Sequence, residues 1–561
     1  MKRKRIATSL GVMLLSTSML MAGCASKSET NNNNDSTAAA TNTTNQAEAT
    51  TNTPDAAPAF EFGVTPVSFS FYGNYDWYTQ NPWGADPGTK WIQDNKKVTV
   101  TAVQAGSSPE VKLNAMIASD ELPDVIWGER DANVEKLRAA GKLVALDQYV
   151  DKYPNLKKWA GDATLNMLKA EDGHLYVFPN WYANSARGNG GYIVNTKIYT
   201  ELGSPKLETF DDLYAYLKLV KEKYPKIIPF ETSIGAQGIY ELYSGFAEDH
   251  PVQFVSQMAV PNAGGDKLES IFTDPTFKET LQYASKLFRE KLVTQDALTQ
   301  KIEQVREKVT TGKVAVASAF NVTDLGARGT VALKAADPSA GYTMIWPLQK
   351  GGLDKNKIFA TQYDSLGWNV NMITTSAKDP EGIFAYLDWL TGAEGQRVGF
   401  WGPPGLYWDG ADETDAPKFT DKYATDKEGL SKMMSTMDSF NWAGNTTFID
   451  QAKSKHELSL PADQQEWATI AQNAVAWKTA YNITQFANMD PAPTSEEGVI
   501  AQRISDIFTR VFAKAIFAKD DAEVEAMLNT ASEEANSAGY DKLLAFKTTK
   551  WQDNLKRINA E

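Results

Sequence analysis

Leu122-Pro123-Asp124-Val125-Ile126-Trp127 reads as a short buried strand with helical sequence on either side of it. Upstream, Pro109–Ser119 fits a helix, with Pro109 at its first position and Ser108 as its N-cap. Downstream, residues 134–139 fit a second helix that stops at Gly141, and residues 143–149 follow. Further upstream, Pro66-Val67-Ser68-Phe69-Ser70-Phe71 alternates with the period of a strand and runs into an aromatic loop, 72–83. Residues 98–103 form another strand. Strand and helix in alternation predict a parallel α/β layer. The rhythm continues outward. Asp172-Gly173-His174-Leu175-Tyr176-Val177-Phe178-Pro179 reads as a tight turn between short strands, and Gly191-Tyr192-Ile193-Val194-Asn195 as a strand whose Asn195 caps the next turn. Thr209 caps a helix over 210–224, with Asp211 and Asp212 where the helix dipole favours negative charge. Helices follow at 240–248 and 275–290, strands at 313–320, 341–347 and 365–374, and an amphipathic helix from Pro380 that places Ile383, Phe384, Leu387 and Leu390 on one face. From Gly395 the pattern is mostly helical, strongest at 464–481, 495–517 and 521–539.

A chain of 561 residues exceeds what one core supports, so more than one lobe is expected. Its net charge of −14 argues against nucleic acid, which needs a basic footprint. Three His leave little material for a histidine-built metal centre or catalytic triad, and no Gly-rich phosphate loop is present. The first 23 residues join Lys2, Arg3, Lys4 and Arg5 to an apolar run and two small residues, the layout of an export signal too short for an ordinary spanning helix. Cys24, the only cysteine, stands just after the small residues. That placement resembles a bacterial lipobox and implies acylation of Cys24 and an outward-facing, lipid-anchored location on a cell surface, of a Gram-positive source given the long tether. Two acyl chains suffice for stable anchoring without a spanning helix. Residues 24–61, rich in Ser, Thr, Asn and Ala, cannot bury a core and read as a flexible tether.

Five motifs in order carry a family resemblance. They are Leu122–Val125 with Ala140-Gly141-Lys142-Leu143-Val144-Ala145-Leu146-Asp147, then Asp172 to Pro179, Gly191 to Lys197, Thr209-Phe210-Asp211-Asp212-Leu213, and Ala385-Tyr386-Leu387-Asp388-Trp389-Leu390. Together they resemble the extracellular solute-binding proteins, family 1, of bacterial ABC importers, and in length the large oligosaccharide-binding lipoproteins of Paenibacillus-like bacteria. The resemblance implies a bilobal α/β, periplasmic-binding-protein-like fold of type II, with a helical C-terminal region and ligand in the cleft. One lobe would comprise 62–180 and 348–394, the other 181–347 and 395–561, with hinges near 180–191, 346–350 and 391–395. The implied partners are an oligosaccharide and the membrane subunits of an ABC permease, the protein itself acting as a monomer without cofactor or catalytic residues. Many large relatives carry a calcium loop after the helix matching 210–224. Here Lys223-Tyr224-Pro225-Lys226-Ile227-Ile228-Pro229 offers no run of carboxylate and amide oxygens, so no metal is expected there. The turn Trp401-Gly402-Pro403-Pro404-Gly405-Leu406-Tyr407 likewise lacks the Glu seen in relatives.

A sugar has apolar C–H faces and polar edges, so it calls for flat aromatic platforms flanked by carboxylates, amides and Arg. Asn74, Tyr75, Asp76, Trp77 and Trp83 supply that mixture beyond a strand's C-terminal end, where open α/β sheets bind ligand. Trp127, Glu129 and Arg130 end the next parallel strand. Trp181 and Arg187 fall in the first hinge, and Gln362, Tyr363, Asp364 and Trp368 flank the later strand. Any one aromatic could instead be core, and Trp389 and Trp467 on amphipathic helices are read so. Two other functions stay open: a surface-anchored polysaccharide-degrading enzyme using a carboxylate pair in the same cleft, and a binding protein for a non-sugar solute such as a peptide.

Overall fold

The computed structural model describes residues 60–560, and the expected signal, Cys24 and most of the tether lie outside them. Phe60, within the stretch expected to be tether, packs against the first core. Two sheets organise the chain. The first has five strands in the order Val98–Ala102, Val67–Gly73, Val125–Gly128, Asn369–Ile373 and Phe178–Asn180. Its first three strands are parallel, with Phe71 beside Val125 and Gly73 beside Trp127. Asn369–Ile373 runs antiparallel to both its neighbours. The second sheet has four strands in the order Tyr342–Ile345, Tyr192–Asn195, Val314–Ser318 and Ile228–Glu231, the last pair parallel.

The expected helices around Leu122–Trp127 form as Pro109–Ser119 and Ala132–Ala139. Ser108 stands at the N-cap position without a side-chain hydrogen bond, whereas Thr209 makes a full capping box with Asp212. Helix Pro380–Thr391 is buried from Gly382 to Thr391, and its Tyr386 ring meets Phe69 of strand Val67–Gly73 at 5.8 Å. Its Asp388 carboxylate accepts from the backbone N–H of Leu156 (2.7 Å) and Asn155 (3.2 Å), capping helix Asn155–Leu168, whose own N-cap is a proline.

Three expectations change. The strand expected over 365–374 is Asn369–Ile373, which leaves Trp368 in the turn before it. The helix expected over 464–481 ends at Ala474, and Ala480–Asn482 becomes a strand parallel to Thr361–Tyr363. Tertiary strand pairing there overrides local helical pattern. Residue 395 is also no packing boundary. Val398, Trp401, Leu430, Met433, Trp442, Phe448 and Ala452 all join the core of the first sheet, and Trp467 is the first of the following segment to pack against the second sheet. Residues 486–551 form a separate helical core with 236–297. Among the described residues no helix is long and apolar enough to cross a membrane.

Candidate functional site

The parallel strands of the first sheet end together at Gly73 and Gly128, and the loops beyond them carry aromatic side chains. Gly73 is required where it stands, since a Cβ there would collide with the Tyr78 ring. Tyr75 forms the centre. Its ring lies 4.8 Å from Trp127, 4.8 Å from Trp77 and 5.7 Å from Trp368. Its hydroxyl donates to Glu129 Oε1 (3.0 Å) and accepts from Asn369 Nδ2 (3.1 Å). Burial is the main cause that raises its pKa, so the phenol stays a neutral donor. Beneath it, Trp127 is 5% exposed and its indole Nε1 has no hydrogen-bond partner. Above it, Trp77 and Trp368 are 58% and 49% exposed, with ring planes 20° apart and centroids at 5.9 Å. Two indoles thus present apolar faces to solvent beside a carboxylate and a phenol.

A family model described as bacterial extracellular solute-binding protein matches residues 88–397. The chain belongs to that family. It is similar to lipoprotein LipO of Bacillus subtilis, 26% identical over 270 residues, 46% of this chain and 51% of that protein. It is similar also to the melibiose/raffinose/stachyose-binding protein MelE of the same organism, 24% identical over 247 residues, 40% of this chain and 49% of that one. The chain thus spans about half the length of these curated relatives. Two solved structures share its fold. A solute-binding protein described as HMO binding, from Bifidobacterium longum infantis, aligns with TM-score 0.63 at 14% identity, covering 87% of this chain and 98% of that one. The S. pneumoniae protein FusA in complex with kestose aligns with TM-score 0.60 at 17% identity, covering 87% and 99%. The bilobal type II fold expected from the sequence is therefore the fold of this solute-binding protein.

The structure brings only part of the expected constellation to the aromatic cluster. Asn74 lies at its edge, its Nδ2 donating to Glu110 Oε1 (2.5 Å), and Asp76 is exposed beside it. Asp364 reaches it through Arg130, whose Nη2 is 3.4 Å from the carboxylate and donates to the Gly367 carbonyl (2.9 Å). Trp83 turns away. Its Nε1 donates to the Val98 carbonyl (2.9 Å) and its ring stacks on Trp442. Trp181 packs edge-on to Phe400 and lies over Gly444, where a Cβ would stand 2.7 Å from its ring. Arg187 is engaged on every side: Nε is 2.8 Å from Asp450 Oδ2, Nη2 donates to Thr447 O, and the guanidinium stacks on Trp477. Desolvation lowers the Arg187 pKa and raises that of Asp450, as expected of a buried pair. Gln362 and Tyr363 sit in the short strand paired with Ala480–Asn482, with Gln362 Nε2 3.3 Å from Gln253 Oε1. Its buried Oε1 lacks a partner.

Sequence reasoning passed over Asn369, fully buried and holding the Tyr75 hydroxyl; Tyr78, in the same aromatic loop as Tyr75, meets Trp127 edge-on at 5.0 Å. An Asn at a strand start beside an exposed Trp was the available signal. At the loop expected to lack metal, the chain runs straight from helix Phe210–Lys223 into strand Ile228–Glu231.

Proposed function

We propose that this chain is the ligand-binding component of an ABC importer, taking an oligosaccharide between its lobes and releasing it unchanged. The observation that carries the reading is the open pair Trp77 and Trp368 at the carboxyl ends of a parallel sheet, backed by Tyr75, Trp127 and Glu129. Sugar C–H faces stack on such rings, and the Glu129 carboxylate and Asn74 amide suit hydroxyl edges. The relative named for melibiose, raffinose and stachyose and the fold neighbour holding kestose support the same class of ligand. Closure of one lobe on the other would follow from contacts that only the closed form makes. In this reading residues 395–452 move with the first sheet, because their side chains share its core. Acylation of Cys24 would hold the protein at the outer membrane face beside its permease.

Titration of the full chain with a panel of oligosaccharides, followed by Trp fluorescence and calorimetry, tests the reading. A saturable signal from at least one sugar is expected, with no new reducing ends after incubation. Silence in both measurements across the panel overturns it, and release of reducing ends would favour a degradative enzyme. Labelling with a fatty-acid analogue that Cys24→Ala abolishes would support the anchor.

A further inference from the structure

We propose that a crevice beside the aromatic cluster binds the carboxylate or sulfate group of an anionic oligosaccharide. The proposal rests on the sugar-binding reading above and names its substrate class. The crevice encloses about 330 Å³ where the end of helix Asn155–Leu168 meets helix Tyr540–Ile558 and helix Ala132–Ala139. Its walls carry the cations Arg130, Arg138, Lys169, Lys550 and Arg557, against the carboxylates of Asp131 and Glu135 alone. On a chain of net charge −14 this is a local reversal of sign. Screening confines charge effects to about 8 Å at physiological salt, so the crevice walls and not the distant acidic surface set the potential an anion meets there.

The cations are unequally matched. Arg138 is held between Glu135 (2.6 Å) and Asp172 (2.8 Å), and Arg130 shares Asp364 at 3.4 Å. Lys169, Lys550 and Arg557 have no carboxylate within ion-pair reach among the described residues. Lys169 Nζ donates to the neutral Asn166 Oδ1 (3.1 Å), Arg557 Nη1 to the Lys169 carbonyl (2.7 Å), and the Lys550 ammonium lies 5.9 Å from the Phe546 ring. Three like charges around one small volume repel each other, and an anion placed among them turns that repulsion into charge-assisted hydrogen bonds. Asp131 does not fill the role, since its carboxylate caps the helix behind it by accepting from Asn133 N (2.8 Å).

Arg130 joins the crevice to the sugar platform. It follows Trp127 in the same strand end, and it donates to the carbonyl of Gly367, the residue before Trp368. A sugar ring on Trp77 and Trp368 could therefore direct an acidic substituent, or an acidic neighbouring sugar, past Arg130 toward Lys550 and Arg557.

The test is calorimetry of the full chain with matched ligand pairs: uronate oligosaccharides with their carboxyl-reduced counterparts, and sulfated oligosaccharides with their desulfated ones. The acidic member of a pair is expected to bind about tenfold more tightly, a margin of about 1.4 kcal/mol, and the margin to shrink as salt is raised. Lys550→Gln with Arg557→Gln should remove the margin while leaving affinity for the neutral member unchanged. Lys169→Gln, which breaks no backbone contact, should reduce it in a fold that is intact. Preference for the uronate or for the sulfate ester identifies the source of the anion. Equal binding within every pair, or a margin that survives the variants and high salt, overturns the crevice and leaves the sugar reading standing. Binding by no member of any pair overturns both.

Discussion

Two indole pairs in this molecule have nearly the same geometry and opposite surroundings. Trp83 and Trp442 stack with planes 18° apart and centroids at 6.1 Å, and Trp77 and Trp368 with planes 20° apart at 5.9 Å. Trp442 is 1% exposed and lies flat on Phe71 at 3.8 Å, whereas Trp77 and Trp368 face solvent. One member of each pair, Trp83 and Trp77, comes from the loop after strand Val67–Gly73. The difference lies in what covers them. Phe440 and Tyr386 close over Trp83 and Trp442, while Trp77 and Trp368 stay about half exposed and rest on Tyr75 and Trp127. Stacking alone therefore does not mark a binding surface. Under the proposed reading, stacking left uncovered does.

The largest effect expected from breaking this contrast is on the closed side. Trp442→Ala removes a fully enclosed ring and should lower stability by about 3–5 kcal/mol in denaturant unfolding. On the open side, Trp77→Ala and Trp368→Ala should change stability by no more than about 0.5 kcal/mol, because neither ring fills core. Each should weaken oligosaccharide binding by about 2 kcal/mol, roughly thirtyfold, in calorimetry. Comparable loss of stability in both sets, or unchanged binding in the open set, would erase the distinction. Between them lies Tyr75→Phe. It leaves the buried Asn369 amide without its acceptor and Glu129 without its donor, and should cost about 1–3 kcal/mol of stability with a smaller loss of affinity. Trp83→Phe should cost about 1 kcal/mol through the lost bond to the Val98 carbonyl and leave binding unchanged.

How far the sequence could be read follows the same division. Alternation at Val67, Phe69 and Phe71 and the apolar run before Trp127 are local signals, and both became strands of one sheet. Trp77 is marked by its polar loop, and so is Trp83. What separates them is Phe440 and Trp442, which sit some 360 positions later in sequence and carry no local sign of their destination. The same distance hid the cationic crevice, because Lys550 and Arg557 reach Arg130 only through the packing of the last helix against Asn155–Leu168. Arg187 was legible as a cation near a hinge but not as one matched to Asp450, since that pairing also spans the fold.

The contrast extends to the second sheet, whose strand ends carry buried polar groups where the first carries rings. Thr232 follows strand Ile228–Glu231, and its hydroxyl is buried without a partner. Nearby Glu241 is 1% exposed, and its Oε2 is likewise unpartnered. With no ion-pair partner among the described residues, burial raises its pKa well above the usual 4.5, which favours the protonated form in the folded chain. The sign follows directly: the group's contribution is fully present below pH 4.5 and is lost progressively as pH climbs toward the raised folded value. Glu241→Gln keeps the shape and removes the titration. Its melting temperature should match that of the parent chain in acid and exceed it increasingly as pH rises above 4.5. The effect vanishes in acid and needs the pH series to be seen. A difference constant with pH would mean that Glu241 is ionised in the folded chain and that an unseen cation or water chain supports it, making this strand end as open to solvent as the aromatic one.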